Sequence, residues 1–243
     1  MTKKPALLGV LGGLGPMSTV YFCELLNLHT KASCDNDHID MLISSRASTP
    51  DRTDFILGRS QNDPLPVMLG EAARLEAAGV DLIVIPCNTA HYFYDGLARE
   101  CHVPVLNIIR ETVLHLKACG VTDFGLLATE GTVKSGAYER VCREVGIRCL
   151  TPTEEEQAVI SHIIYDCVKQ NKPVDMAAFR ELAYTLRARG CQRLVLGCTE
   201  LSLLKKQGLD EPLFLDSLDV LAYRTISAFG KTPIGFPADF EEA

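Results

Sequence analysis

Apolar positions along the chain follow two alternating periods. Short runs of aliphatic and β-branched residues at 6–11, 39–43, 82–85, 103–106, 124–128, 147–150, 193–196 and 212–215 predict strands buried on both faces of a sheet. Between them, apolar residues recur at helical spacing. The first stripe covers 18–31, through Val20, Leu25, Leu26 and Leu28, and others cover 65–78, 109–119, 132–145, 154–169, 176–189 and 216–229. Gly79 and Gly120 stand where two of these stretches stop, as helix C-termini prefer. Strands alternating with helices predict a parallel α/β architecture with right-handed crossovers. The strand series restarts at Phe124, which puts a domain break near residues 108–122. The chain then divides into 1–112 plus 211–243, an N-terminal α/β domain with a returning C-terminal strand and helix, and a second α/β domain at 113–210. The tail at 230–243, with Pro233 and Pro237, shows no period and is expected to be loosely held.

Two stretches repeat one grammar. Residues 81–91 read Asp-Leu-Ile-Val-Ile-Pro-Cys-Asn-Thr-Ala-His, a buried strand closed by Pro86, which has no N–H for the ladder. Asn88 and Thr89 are helix N-cap types, so a helix is expected just after Cys87. Cys87 then sits at the carboxyl end of a strand, where open α/β sheets bind ligands, and beside a helix terminus that favours a thiolate. Residues 193–201 read Arg-Leu-Val-Leu-Gly-Cys-Thr-Glu-Leu, again a strand, a small residue and a cysteine, Cys198. Two cysteines in matching settings predict two similar halves, each offering a thiol to a shared cleft.

Composition narrows the function. A length of 243 residues, 47% hydrophobic and 23% charged, suits a globular chain with a proper core. The formal charge of −7 argues against a nucleic-acid or anionic-membrane surface, while leaving room for a basic pocket that takes a small anion. Ten cysteines occur without any Cys-x-x-Cys. Cys142, Cys149 and Cys167 fall in apolar stretches, where the thiol acts as a small hydrophobe, and a reducing cytoplasm is the expected setting. The first apolar run is short and broken by glycines, so it reads as a strand and not a signal peptide, and no stretch is long enough to span a membrane.

The turn Gly12-Gly13-Leu14-Gly15-Pro16 invites a dinucleotide reading, but Ser18 stands where the third glycine belongs. The second strand ends in Ile43-Ser44-Ser45 without an acidic residue for a ribose. The turn is better suited to holding a small carboxylate on its backbone N–H groups. No metal site is expected: Cys87 and His91 are four apart, but Cys198 has no histidine nearby and no His-Glu-x-x-His occurs. His91 is read as a histidine held by hydrogen bonds near a helix start. Arg46, Asp51 and Arg52 lie in the polar loop 44–53 at the same sheet edge as Cys87, where a guanidinium can grip a substrate carboxylate. Thr129 and Thr132 open a helix, where capping accounts for one of them. Lys169 ends one, where a cation suits the dipole.

Taken together, Pro86-Cys87-Asn88-Thr89-Ala90-His91 and Gly197-Cys198-Thr199-Glu200 resemble the aspartate/glutamate racemase superfamily. Supporting stretches are Leu11-Gly12-Gly13-Leu14-Gly15-Pro16, Pro50-Asp51-Arg52-Thr53, Ala128-Thr129-Glu130-Gly131-Thr132 and Thr151-Pro152-Thr153-Glu154, in order over residues 6–229. The likeness is closest to the aspartate racemase branch. It implies two Rossmann-like parallel-sheet domains related by pseudo-twofold symmetry, an active site between them, racemisation without a cofactor, and a homodimer. Cys87 and Cys198 would be the acid–base pair. Asn88, Thr89 and Thr199 would hold the α-amino and α-carboxylate groups, and Arg52 and Lys169 the side-chain carboxylate. Leu14, Thr129 and Thr132 join the substrate-binding positions, with Asp51 and Glu200 as acid–base support.

The glutamate racemase branch opens with an acidic Asp-Ser-Gly turn and carries histidine after the second Cys-Thr. Here Leu11-Gly12-Gly13 and Glu200 stand instead, so the expected substrate is a small dicarboxylic amino acid, aspartate first. Maleate isomerase, hydantoin racemase and broad-specificity amino-acid or glutamate racemase are the alternatives within the superfamily. A two-lobed protein that clamps a small acid without chemistry is the rival from another class, and a nucleotide-dependent oxidoreductase ranks behind it.

Overall fold

Short, mostly apolar segments pair into two parallel sheets. β1 (Leu7–Gly12), β2 (Asp40–Ser45), β3 (Leu82–Val84) and β4 (Val105–Leu106) run in the order β2-β1-β3-β4. β5 (Asp123–Leu127), β6 (Arg148–Leu150), β7 (Arg193–Leu196) and β8 (Phe214–Asp216) run in the order β6-β5-β7-β8. The two orders are the same once the second set is renumbered, so the α/β architecture with two like sheets is as the sequence implied. The computed structural model describes residues 6–209 and 211–242. The sequence reading of residues 1–5 and of Ala243 lies outside them.

Twelve α-helices are described. In the first half they are α1 (Pro16–His29), α2 (Arg52–Ile56), α3 (Leu65–Ala77), α4 (Tyr94–Glu100) and α5 (Ile108–Ala118). The second half adds α6 (Glu130–Lys134), α7 (Ala137–Val145), α8 (Glu154–His162), α9 (Met176–Ala188), α10 (Thr199–Ser202), α11 (Ser217–Ala228) and α12 (Asp239–Glu242). Their apolar stripes generate three cores. α3 and α4 cover the outer face of the first sheet through Met68, Ala72, Leu75 and Leu97. α8 and α9 cover the outer face of the second through Ile160, Phe179, Leu182 and Leu186. The third core lies between the sheets, where Leu8, Val10, Phe124 and Leu126 meet α1, α5, α7 and α11.

Three expectations change. The returning strand β8 pairs with β7, in register Leu194↔Phe214 to Leu196↔Asp216, and so extends the second sheet instead of rejoining the first. α11 does return, packing on α1 and α5 in the central core. Val20 and Leu28 belong to the helical stripe by spacing, yet both are exposed while Leu25 and Leu26 are buried. The tail is docked: Lys31 N–H bonds to the Thr232 carbonyl and Ile234 N–H to that of His29. Phe240 is 1% exposed, packed against His115 and Tyr223, so its apolar area replaces the missing period.

Candidate active site

In a parallel sheet of this order, crossovers leave β1 and β3 in opposite directions, opening a crevice at their carboxyl ends. β5 and β7 do the same in the second sheet. Leu14 follows β1, Cys87 follows β3, Thr129 follows β5 and Cys198 follows β7, and all four line one cleft. The cleft is narrow, with a cavity volume of about 10 Å³, room for about one water. Its walls also include Asp51, Arg52, Thr53, Asn88, Thr89, Tyr165, Lys169, Thr199 and Glu200. Of the expected substrate-binding residues only Thr132 is set back, behind Thr129.

The helix expected after Cys87 is a single 3₁₀ turn, Thr89–Phe93, leading into α4, and Cys198 caps only the four-residue α10. Local N–H groups therefore act in place of long dipoles. The Ala90 N–H faces the Cys87 sulfur and the Glu200 N–H faces the Cys198 sulfur, each favouring thiolate. Burial opposes them, pushing both thiols up. The Arg52 guanidinium is the main counterweight at Cys87, with Lys169 behind it. At Cys198, Glu200 adds to the upward push, because the thiol donates to Glu200 Oε2 at 3.0 Å.

The cations and the carboxylates are placed differently from one another. Arg52 is only 8% exposed and donates to the Leu14 carbonyl at 2.8 Å and the Pro50 carbonyl at 3.1 Å, while its Nε has no partner among the described residues. Arg46 turns away toward Glu71. Asp51 is spent partly on capping, its carboxylate accepting the Asp54 N–H at 3.0 Å. Lys169 lies 4.4 Å over the Tyr165 ring. Neither Arg52 nor Lys169 is ion-paired among the described residues, so two positive charges face a cleft whose own carboxylates, Asp51 and Glu200, are engaged by the Asp54 N–H and the Cys198 thiol.

Cross-strand hydrogen bonds lock the two halves around the sulfurs. Thr89, Thr129 and Thr132 hydroxyls form a triangle with 2.9 Å sides. Thr199 donates to the Pro86 carbonyl at 3.2 Å. Asn88 donates to Ser217 at 2.9 Å and accepts from the Tyr138 hydroxyl at 2.7 Å. His91 accepts the Ile108 N–H on Nε2, which fixes its proton on Nδ1, donated to the Cys87 carbonyl at 2.8 Å. Its role is to hold the Cys87 turn against α5.

Tyr165 and Thr53 escape the sequence reading of single residues, though Thr53 lies within a resembling stretch. Tyr165 donates to the Thr53 hydroxyl at 2.9 Å, joining the two halves. Its position four residues before Lys169 was the available signal, since that spacing shares a helical face. The helix there is not α throughout. Ile163–Cys167 is a π turn and Val168–Gln170 a 3₁₀ turn, which together deliver Tyr165 and Lys169 to the cleft. Gly13, at φ 82, and Gly15 keep the first turn narrow. A Cβ on Gly13 would strike the Arg46 backbone at 2.4 Å, and one on Gly15 would meet Glu200 Oε1 at 2.4 Å. The carboxylate nearest that turn is thus the chain's own.

No helix among the described residues is long and apolar enough to cross a membrane. Comparison with known proteins gives one consistent result. The sequence model of the family described as Asp/Glu/Hydantoin racemase matches residues 11–224. The broad specificity amino-acid racemase RacX of Bacillus subtilis is 28% identical over 227 residues, covering 92% of this chain and 98% of the relative. A glutamate racemase of Aquifex pyrophilus is 33% identical over 159 residues, 61% of this chain and 58% of its own. The solved structure of Picrophilus torridus aspartate racemase superposes with a TM-score of 0.80 at 28% identity, covering 97% of this chain and 98% of that one.

Proposed function

The chain belongs to the Asp/Glu/hydantoin racemase family, and from that premise we propose that this isomerase interconverts L- and D-aspartate by trading protons between Cys87 and Cys198. The observation that carries the reading is the pair of buried sulfurs, at equivalent strand ends of two like sheets, lining one small cleft. Racemisation removes a weakly acidic α-proton and returns one to the opposite face. One thiolate serves as base while the other thiol serves as acid, and the reverse direction exchanges their roles.

Burial favours both thiols. An arriving α-ammonium group brings positive charge beside the sulfurs and favours one thiolate, so substrate helps to create its own base. Arg52 and Lys169 support the choice of a dicarboxylic amino acid, because the buried guanidinium has a donor without a partner among the described residues. Asn88, Thr89, Thr129 and Thr199 present polar groups for the α-amino and α-carboxylate ends, while Leu14 shapes the apolar wall. A broad range of amino acids is the second reading, favoured by the likeness to RacX over nearly its whole length.

The proposal includes a cytoplasmic homodimer. It is supported by α1 and β2, which leave Met17, Val20, Leu28, Leu42 and Ile43 exposed. Sedimentation at the mass of one chain would remove the dimer.

The decisive experiment is a chiral assay in deuterated buffer with Cys87→Ala and Cys198→Ala, across aspartate, glutamate, alanine, maleate and a hydantoin. Each variant is expected to lose racemisation of aspartate by at least about a hundredfold. Near-parental interconversion by either one removes the two-thiol mechanism, and faster turnover of alanine than aspartate by the parent removes the dicarboxylate preference.

A further inference from the structure

Glu200 stands in a wall between two cavities. One is the cleft of the two sulfurs; the other, with a volume of about 220 Å³, is bounded by Gly15, Met17, Ser18, Ala47 and Leu203. Arg52, Lys169 and Glu200 line both. The two oxygens of Glu200 are not equivalent. Oε2 accepts the Cys198 thiol at 3.0 Å. Oε1 lies over the bare Cα of Gly15, 2.4 Å from the place of a Cβ, and Ser18 Oγ lies 3.5 Å from the same point. Ser18 is 0% exposed and its hydroxyl has no partner among the described residues. A buried hydroxyl without a protein partner beside a carboxylate oxygen is a seat for water.

Resting on the two-thiol reading, we infer that Glu200 and the second cavity form a proton route that resets Cys198 between turnovers. Each racemisation leaves the enzyme in the opposite protonation form: the base sulfur has gained a proton and the acid sulfur has lost one. The same enantiomer cannot be turned over again until a proton leaves one sulfur and another reaches its partner. When Cys198 is the spent acid, hydronium in the second cavity gives a proton to Glu200 Oε1 and leaves as water. A half-turn of the carboxyl about Cγ–Cδ brings that O–H to the sulfur. The thiolate takes the proton, restoring thiol and carboxylate. When Cys198 is the spent base, the same steps run backwards and water carries the proton out. Bulk water is the only co-reactant. Ser18 orients the water at Oε1, and Gly15 is bare because a side chain there would displace that oxygen.

Resetting and catalysis separate in a tracer experiment. An equilibrium mixture of labelled L- and D-aspartate is perturbed with excess unlabelled L-aspartate; label is driven out of balance only when resetting is slower than turnover. Ala47→Phe puts a ring at the exposed rim of the second cavity and touches no part of the sulfur cleft. It is expected to leave kcat/KM within about twofold while lowering, by at least about tenfold, the aspartate concentration at which label is displaced. Should that variant fail to fold, Ser18→Ala, which removes one buried oxygen, is expected to lower the same concentration. An unchanged displacement threshold overturns the proton route. A fall in kcat/KM as large as the threshold change also overturns it, marking the cavity as the way in for the amino acid. Absence of racemisation in the parent for every amino acid tried removes the function itself, a result distinct from either.

Discussion

Burial pushes the His91 imidazole down to about 4, from an ordinary value near 6.5, so the ring is neutral at pH 7 and works only through its two hydrogen bonds. Below pH 6.5 the unfolded chain binds a proton at this position that the folded chain refuses. The histidine's contribution is therefore whole above 6.5 and lost as pH falls toward 4, by about 3 kcal/mol in all. His115 follows the same sign, while Asp219, pushed up to about 7 by burial and by Asp216, has the opposite one and offsets part of the loss. The difference between parent and His91→Asn isolates one group. Urea unfolding is expected to show a stability gap between the two that is largest at pH 7.5 and narrows by up to about 3 kcal/mol at pH 4.5. A gap independent of pH would mean that the ring titrates alike in both states. That His91 is a hydrogen-bonded histidine was readable from its place near a helix start. The use of Gly15 to seat Glu200 was not, since the two residues meet only after the sheets are assembled.

Elements were legible where period and composition agreed. The strand cores fell within a residue or two of their sequence positions, because β-branched runs between turns leave few alternatives. The stretch 154–169 was readable as helical but not as three kinds of helix. Its apolar face survives the change from α to π turn, and only the tertiary demand on Tyr165 and Lys169 selects the wider turn. The junction of β8 and α11 was equally hidden. Asp216 accepts the Leu218 N–H at 2.9 Å and the Ser202 hydroxyl at 2.7 Å, so it caps α11 and ties it to α10. Lys205 pairs with Asp216 at 3.3 Å and also with Asp219, its ammonium held charged between two buried carboxylates. Lys205→Met, measured at pH 8.5 where Asp219 is ionised, leaves those carboxylates uncompensated and is expected to cost about 3–5 kcal/mol in unfolding free energy. Adding Asp219→Asn should recover a substantial part. A single variant as stable as the parent would show that the cluster is solvated enough to need no cation.

The whole molecule is two like sheets clamped on a shared helical core, and its chemistry depends on how the halves are held. The repeated strand–cysteine grammar made the duplication legible. The boundary was not, because β8 hydrogen-bonds with the second sheet while α11 packs into the core between them. No local pattern encodes a segment that serves both. Registration of Cys87 against Cys198 is carried by contacts across that divide: the hydroxyl triangle, Thr199 on the Pro86 carbonyl, and Tyr165 on Thr53. Thr132 isolates this effect, since it lies behind Thr129 without lining the cleft. Thr132→Val keeps the shape and removes one vertex, leaving Thr89 and Thr129 bonded to each other. The loss in stability is expected to be near that of a single hydrogen bond, about 1 kcal/mol. The loss in kcat is expected to be larger, up to about a hundredfold, because the proposed exchange needs both sulfurs to flank one carbon and so tolerates little displacement. Paired measurement of urea unfolding and of racemisation rate decides between positioning and mere support. Equal free-energy losses in the two would make the triangle a structural bond only, whereas a rate loss exceeding the stability loss makes the spacing of the halves a determinant of catalysis.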